Sequence, residues 1–121
     1  MKSLKSFNFS EHLSKYSMYV HKATVIAFVV QRGYIIAYGY NRKRFPTDGK
    51  FTRHAEMAAL KKAGRRAVGA TIYVYRFKKN NEFAYAKPCK DCMELIYDAE
   101  IAKGYCSNNV TFRENKMMRF L

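Results

Sequence analysis

The chain has 121 residues, the size of one domain, and 49% of them are hydrophobic, which is too many for a disordered protein. No apolar run is long enough to span a bilayer, and residues 1–5 lack the apolar stretch of a secretory signal, so one cytoplasmic domain over residues 1–121 is expected. Lysine and arginine number 23 against 9 acidic residues, and the net charge of +14 favours a polyanionic partner over a neutral one.

The first half of the chain predicts a helix and then a strand hairpin. Ser10 is suited to cap a helix over residues 10–22, in which apolar side chains recur at helical spacing. The unbroken apolar run at residues 24–30 is rich in β-branched side chains and predicts a strand buried on both faces. A turn leads to a second strand over residues 34–38, and a loop is predicted over residues 41–50.

The second half of the chain alternates helices and strands. A helix is predicted over residues 53–63, with a stripe of alanines that could lie close to a sheet. A strand over residues 70–77 and a helix over residues 89–102 follow. Residues 103–106 and 110–112 predict two short strands joined by a turn. This alternation favours an α/β sandwich over a bundle or a barrel.

Three residues at predicted helix starts are candidate zinc ligands: His54, Cys89 and Cys92. One imidazole and two thiolates leave the fourth position of a tetrahedral zinc site open, which is typical of a catalytic site. The N-terminus of a helix favours negative charge, so both thiols should have a lowered pKa. A closed structural site would need a fourth ligand from Cys106 or from two histidines in the first predicted helix. Cys106 lies on a predicted strand, which favours core packing.

Glu56 stands two residues after His54 in the same helical turn. Zinc lowers the pKa of a bound water toward about 7, and a carboxylate is the right group to take a proton from that water. One carboxylate that first accepts and then donates a proton serves both halves of a metal-assisted hydrolysis. Glu56 is therefore the predicted catalytic residue.

Aromatic and basic residues flank these motifs. The rings of Phe45, Phe51 and Tyr85 could stack on an extruded base, or could equally anchor their loops to the core. Basic side chains crowd the segment before His54, where they could follow a phosphate backbone or form a solvated surface. They are Arg42, Lys43, Arg44, Lys50 and Arg53.

His54-Ala55-Glu56 followed by Pro88-Cys89-x-x-Cys92 resembles the signature of the cytidine and deoxycytidylate deaminase superfamily. The resemblance extends over nearly the whole chain, because the predicted order of helices and strands is similar to that of the superfamily core. It implies a three-layer α/β/α sandwich with a five-stranded mixed sheet and a bound Zn2+ ion. It also implies that Asn41 contacts the sugar of the substrate and that the backbone N–H of Ala55 binds the polar edge of the base.

Two features distinguish this chain within the superfamily. Ala86-Lys87 stands where many relatives carry Ser or Thr before the Pro-Cys pair. Few residues follow Lys103, so the last two strands are expected to form an antiparallel hairpin. The transfer-RNA adenosine deaminases and APOBEC-type enzymes have a helix between these strands instead.

The resemblance implies hydrolytic deamination of cytosine to uracil, with Glu56 delivering a proton to N3 of the ring. The positive charge favours cytosine in single-stranded DNA or RNA as the substrate. A free cytidine or deoxycytidine nucleotide is the alternative, followed by adenine. The rival hypothesis is a catalytically silent, zinc-stabilised nucleic-acid-binding module. Glu56 disfavours this rival, since a structural site has no need of that carboxylate.

Overall fold

The computed structural model describes residues 2–3, 24–43, 51–77, 83–108 and 117–121. The helix predicted over residues 10–22 and the strand predicted over residues 110–112 lie outside this description. Within it, the strands are β1 (Lys2–Ser3), β2 (Thr24–Gln31), β3 (Tyr34–Tyr40), β4 (Arg42–Lys43), β5 (Phe51–Arg53), β6 (Thr71–Phe77), β7 (Phe83–Ala84), β8 (Lys103–Cys106) and β9 (Met118–Arg119). The helices are α1 (Ala55–Ala63), a 3₁₀ turn (Gly64–Ala67) and α2 (Lys90–Asp98). None of the described helices is long and apolar enough to cross a membrane.

The β2–β3 hairpin forms where the sequence predicts it. Its turn places Arg32 at φ 54° and Gly33 at φ 81°, the two positive φ angles of the tight turn that matches strand twist. β2 also pairs with β6 from Thr24 opposite Phe77 to Val30 opposite Thr71. The predicted strand is therefore central in the sheet, as its unbroken apolar composition indicates.

The sheet is mixed, in the order β1-β3-β2-β6-β8-β9, and β7 pairs with β6 as well. β6 and β8 run parallel, and the crossover between them contains α2, while the other pairs are antiparallel. β3, β2, β6, β8 and β9 form the predicted five-stranded sheet, and the two-residue strands β1 and β7 extend it. The predicted antiparallel pairing of the last two strands is confirmed, but the partner of β8 is the strand at Met118–Arg119.

Both faces of the sheet are buried. Alternate residues of β2 and β6 point to opposite faces, so Val29 and Val74 join one apolar cluster while Phe28 and Tyr75 join the other. Helices α1 and α2 contact each other, and buried residues of both belong to the first cluster. The alanine stripe of α1 allows a close approach: a Cβ atom added to Gly39 would lie 2.5 Å from the Cβ of Ala58.

Two predicted boundaries are wrong for local reasons. The helix predicted from residue 53 begins at Ala55, because Arg53 belongs to β5 and pairs with Arg42 of β4. The predicted loop over residues 41–50 therefore starts with a short strand. α2 ends at Asp98 rather than at residue 102, and Glu100 then takes a φ of 61°, which no α-helix tolerates.

Candidate active site

The start of α1 positions His54 and Glu56. His54 precedes the helix with an extended φ of −83° and ψ of 148°, and its carbonyl accepts a hydrogen bond from the N–H of Ala58 at 3.1 Å. Its imidazole makes no capping hydrogen bond, so it is available as a ligand. Glu56 lies in the first turn and is only 5% exposed. The positive end of the helix dipole stabilises a carboxylate at this position.

The start of α2 positions the two cysteines in the same way. Cys89 precedes the helix with φ −68° and ψ 169°, and its carbonyl accepts the N–H of Met93 at 2.8 Å. The Cys89 thiol makes no capping hydrogen bond and is exposed, whereas Cys92, one turn into the helix, is buried. The Cys-x-x-Cys spacing thus supplies one accessible and one buried sulfur.

The three predicted ligands converge. Their ligand atoms all lie within 4.8 Å of one another, and Nδ1 of His54 is 3.7 Å from Sγ of Cys89. The predicted lowering of the thiol pKa is wrong for Cys92: burial raises the pKa of this thiol, and the nearby Glu56 carboxylate and Cys89 thiol raise it further. Thiolates buried beside a carboxylate need a cation to balance their charge. One imidazole nitrogen and two thiolates suit zinc, so the residues present fit this metal.

Cys106 is not part of this cluster. Among the residues that the structure describes, His54, Cys89 and Cys92 are the group that could hold a metal ion. Cys106 is fully buried in the apolar core, and burial raises the pKa of its thiol. The two histidines considered as further ligands, His12 and His21, lie outside the described residues. The described ligand set is therefore the open, three-residue kind.

A cleft of about 250 Å³ opens beside the cluster. This volume lies just below the range of about 300–1,000 Å³ for drug-sized ligands and suits a small molecule. The predicted site residues that line it are Asn41, His54, Ala55, Glu56, Tyr85 and Cys89. The backbone N–H of Ala55 belongs to the first turn of α1, where N–H groups have no partner within the helix. The structure thus brings the metal cluster, the carboxylate and the predicted substrate contacts to one place.

Asn41 is held by the backbone beside it. Its N–H donates to the carbonyl of Val25 at 3.2 Å, and the N–H of Val25 donates to Oδ1 of Asn41 at 3.0 Å. A backbone N–H can only donate, so the accepting side-chain atom is the oxygen. Among the described residues, the Nδ2 group of Asn41 keeps its donors for a ligand in the cleft.

Two cationic residues of the cleft wall are not among the predicted site residues. Arg76 lies on β6, and its exposed side chain lines the cleft. Lys87 precedes the Pro-Cys pair and is also exposed at the cleft. The sequence signal for Arg76 is a single charge near the end of an apolar strand, and for Lys87 it is proximity to the cysteine motif.

The remaining predicted residues are not brought to the cleft by the described atoms. Phe45, Arg44 and Lys50 lie outside the described residues. Only the backbone of the β4–β5 pair is described for Arg42, Lys43, Phe51 and Arg53. Their predicted roles in base stacking and nucleic-acid binding stay predictions.

Residues 3–108 match the family model described as the cytidine and deoxycytidylate deaminase zinc-binding region. A curated relative is the riboflavin biosynthesis protein RibD of Aquifex aeolicus (strain VF5), which is 41% identical over 76 residues. That match covers 62% of this chain and 19% of the relative, so the chain spans about a fifth of the length of this protein.

Solved structures with a similar fold include a dCMP deaminase and another RibD. The dCMP deaminase from the cyanophage S-TIM5 is 30% identical at a TM-score of 0.50, over 69% of this chain and 65% of that one. The RibD of Acinetobacter baumannii is 28% identical at a TM-score of 0.47, over 69% of this chain and 21% of that one.

Proposed function

We propose that this chain, which belongs to the cytidine and deoxycytidylate deaminase family, removes the amino group of cytosine in a free nucleotide by hydrolysis. Relatives in this family are zinc-dependent hydrolytic deaminases that act on C–N bonds of nucleobases. The observation that carries the proposal is the buried carboxylate of Glu56, which lines the same cleft as His54 and Cys89. A zinc site that only stabilised the fold would need neither the cleft nor this carboxylate.

The ligand set proposed for zinc is His54, Cys89 and Cys92. Zinc, when bound, supplies a Lewis acid that lowers the pKa of a water toward about 7. The positive ends of α1 and α2 offset the negative charge of the two thiolates and of Glu56. The two helix starts therefore prepare the site electrostatically before a substrate arrives.

Glu56 moves the protons. Hydrolysis replaces the amino group at C4 of the ring with the oxygen of one water and releases one ammonia. Glu56 takes a proton from the water and delivers it to N3, and it then carries the second proton to the departing amino nitrogen. The carboxylate returns to its starting state, so a single residue completes the cycle.

The other cleft residues hold the nucleotide. The Nδ2 group of Asn41 is suited to donate to the sugar, and the N–H of Ala55 to the polar edge of the base. Tyr85 is 53% exposed at the cleft, where its ring can stack on the base. Arg76 and Lys87 supply the positive charge that a 5′-phosphate needs.

A free nucleotide is favoured over the polynucleotide that the charge predicts. The name of the similar cyanophage enzyme, a dCMP deaminase, specifies a mononucleotide substrate. Two cations of the cleft wall, Arg76 and Lys87, are enough to serve the single phosphate of a mononucleotide. The net charge of the chain therefore does not by itself determine which substrate enters the cleft.

An activity panel tests the proposal. Zinc-loaded protein is incubated with dCMP, deoxycytidine, a single-stranded oligonucleotide containing deoxycytidine, and the matching RNA, and uracil formation and ammonia release are measured. We expect dCMP to have the highest kcat/KM, with deoxycytidine lower because it lacks the phosphate.

Two outcomes of the panel would contradict the proposal. A higher kcat/KM for an oligonucleotide than for dCMP would show that the substrate is a polynucleotide and not a free nucleotide. Zinc-loaded, folded protein that deaminates none of the four compounds would support the silent zinc module instead.

A further inference from the structure

The edge of β6 that faces β8 is shared by two strands. β2 pairs along the whole length of β6 and so occupies its other edge. β8 pairs with β6 at Thr71–Val74, and β7 pairs with it at Arg76 and Phe77. Ser107 follows the last residue of β8 and lies where one partner strand ends and the other begins. It is fully buried.

Four hydrogen bonds meet at Ser107. Its N–H donates to the carbonyl of Val74 at 2.9 Å, and its own carbonyl accepts the N–H of Ala86 at 3.0 Å. Its Oγ accepts the N–H of Arg76 at 2.9 Å, and the hydroxyl donates to the carbonyl of Ala84 at 2.8 Å. Every hydrogen-bonding group of the residue is therefore used inside the protein.

The hydroxyl takes the place of a main-chain carbonyl. In a continuing parallel ladder, the residue that donates to Val74 would accept the N–H of Arg76 with its own carbonyl. Here Oγ of Ser107 accepts that N–H. The carbonyl of Ser107 is thus free to turn away from β6 and bind the segment that follows β7.

We propose that Ser107 is a positioning residue of the active site, whose hydroxyl fixes the cleft wall at residues 84–87. This segment carries Tyr85 and Lys87 into the cleft, and the Arg76 backbone is tied to the same hydroxyl. Substitution by alanine removes the partner of two partly buried backbone groups, the N–H of Arg76 and the carbonyl of Ala84, so the wall should shift or loosen. Glu56 lies on α1, and none of the four hydrogen bonds of Ser107 involves it, so the proton transfers should be less affected than binding.

Amide hydrogen exchange, resolved by residue with NMR, tests the network without any assay of turnover. In the wild-type protein the amides of Arg76 and Ala86 should be protected like those of central strand residues. In Ser107→Ala, exchange at Arg76 should be faster by about tenfold, as the loss of one partly buried hydrogen bond implies. A wild-type Arg76 amide that exchanges as fast as exposed amides would overturn the proposal, even if the variant fails to fold.

Kinetics test the positioning role, and this arm alone rests on the proposed function. Ser107→Ala should raise KM for dCMP by about tenfold, change kcat by less than about threefold, and keep its zinc. Ile72→Val is the control, because Ile72 is a buried β6 residue that does not line the cleft. Equal kinetic effects in the two variants would contradict the positioning role and show that Ser107 only stabilises the fold. A wild-type protein that is inactive on every nucleotide would contradict the proposed function. In that case the hydrogen-exchange result alone would test whether the Ser107 hydroxyl fixes the cleft wall.

Discussion

At the scale of the residue, Glu56 is the proposed proton carrier, because it is a buried carboxylate that lines the cleft beside the metal cluster. Glu56→Gln preserves size and hydrogen-bonding capacity but cannot accept a proton. We expect the variant to keep its zinc and its fold and to lose turnover by a factor on the order of 10² to 10⁴. Steady-state uracil formation and metal analysis on the same sample check this expectation.

The control for this variant is Glu94→Gln. Glu94 is an exposed carboxylate on α2 that does not line the cleft, so its neutralisation should leave kcat within about twofold of wild type. Near-normal rates for Glu56→Gln would exclude Glu56 as the proton carrier. Equal losses in the two variants would show an effect of net charge.

The proposed ligand set includes Cys89 but not Cys106, so substitutions of the two cysteines should have different effects on bound zinc. Cys89→Ala removes one of three ligands and should lower bound zinc well below one per chain after dialysis against a chelator. Cys106→Ala removes a thiol from the apolar core and should reduce thermal stability while zinc stays bound. Undiminished zinc in Cys89→Ala, measured by elemental analysis, would refute the ligand set.

Arg76 is expected to favour a nucleotide over a nucleoside, because it is proposed to bind the phosphate. Arg76 lines the cleft, and the loss of a charge-assisted hydrogen bond costs about 1.5–3 kcal/mol. Arg76→Gln should therefore raise KM for dCMP by roughly tenfold or more, whereas KM for deoxycytidine should change little. Parallel increases for both substrates would mean that Arg76 shapes the cleft and does not bind the phosphate.

At the scale of the element, the contact between α1 and β3 positions His54 and Glu56. A Cβ atom at residue 39 would lie 2.6 Å from the N of Ala59 and 2.7 Å from the O of Ala55, both backbone atoms that cannot rotate away. Gly39→Ala should displace α1, lower stability by about 1–3 kcal/mol and weaken zinc binding. Denaturant unfolding and zinc titration measure the two effects.

Gly104→Ala is the matched substitution for this test. Its added Cβ would meet the ring of Phe120 at 2.5 Å, and that ring belongs to a partly exposed side chain near the C-terminus of the chain. Stability should fall in both variants, but zinc affinity should fall only in Gly39→Ala, because only that contact involves the helix that His54 caps. Equal zinc affinities would show that α1 tolerates the displacement.

Most of the central elements are predictable because their signals are local. The apolar run of β2 and the alanine stripe of α1 are each enough to predict that the element is buried. The two metal motifs lie at helix starts, which can also be located from the local sequence. β4 and β5 are not predictable in this way, because a short pair containing Arg42, Lys43 and Arg53 has no apolar pattern. The strand over residues 110–112 remains a prediction, since it lies outside the described residues.

Ser107 shows why part of the site has no sequence signal. A serine followed by two asparagines is typical of a turn. Its role depends on the backbone of Arg76 and the carbonyl of Ala84, which lie 31 and 23 residues away along the chain. The same holds for Arg76 itself, because only the pairing of β6 with β2 and β7 brings it to the cleft. The positions of both residues therefore depend on the pairing of strands that are far apart in the sequence.

At the scale of the whole molecule, a net charge of +14 is compatible with either substrate class. Exposed cations also lie away from the cleft, at the end of α1 and in the 3₁₀ turn after it. They are Lys61, Lys62, Arg65 and Arg66. A surface of this kind attracts polyanions without regard to the chemistry in the cleft. Binding of an oligonucleotide would therefore not by itself identify a substrate.

Salt dependence separates the charge of the surface from the chemistry of the cleft. Binding of a single strand should weaken with a log–log slope of about −0.7 for each phosphate contact, whereas dCMP carries one phosphate and should give a slope of no more than about one contact. Joint replacement of Lys61, Arg65 and Arg66 by Gln should flatten the oligonucleotide slope by about two. The same variant should keep the wild-type KM for dCMP, since none of these residues lines the cleft. Affinity measurements from low to physiological salt provide both slopes. If the replacement raised KM for dCMP as strongly as it weakened oligonucleotide binding, the two ligands would share one surface, and a polymer would again be the better candidate for the substrate.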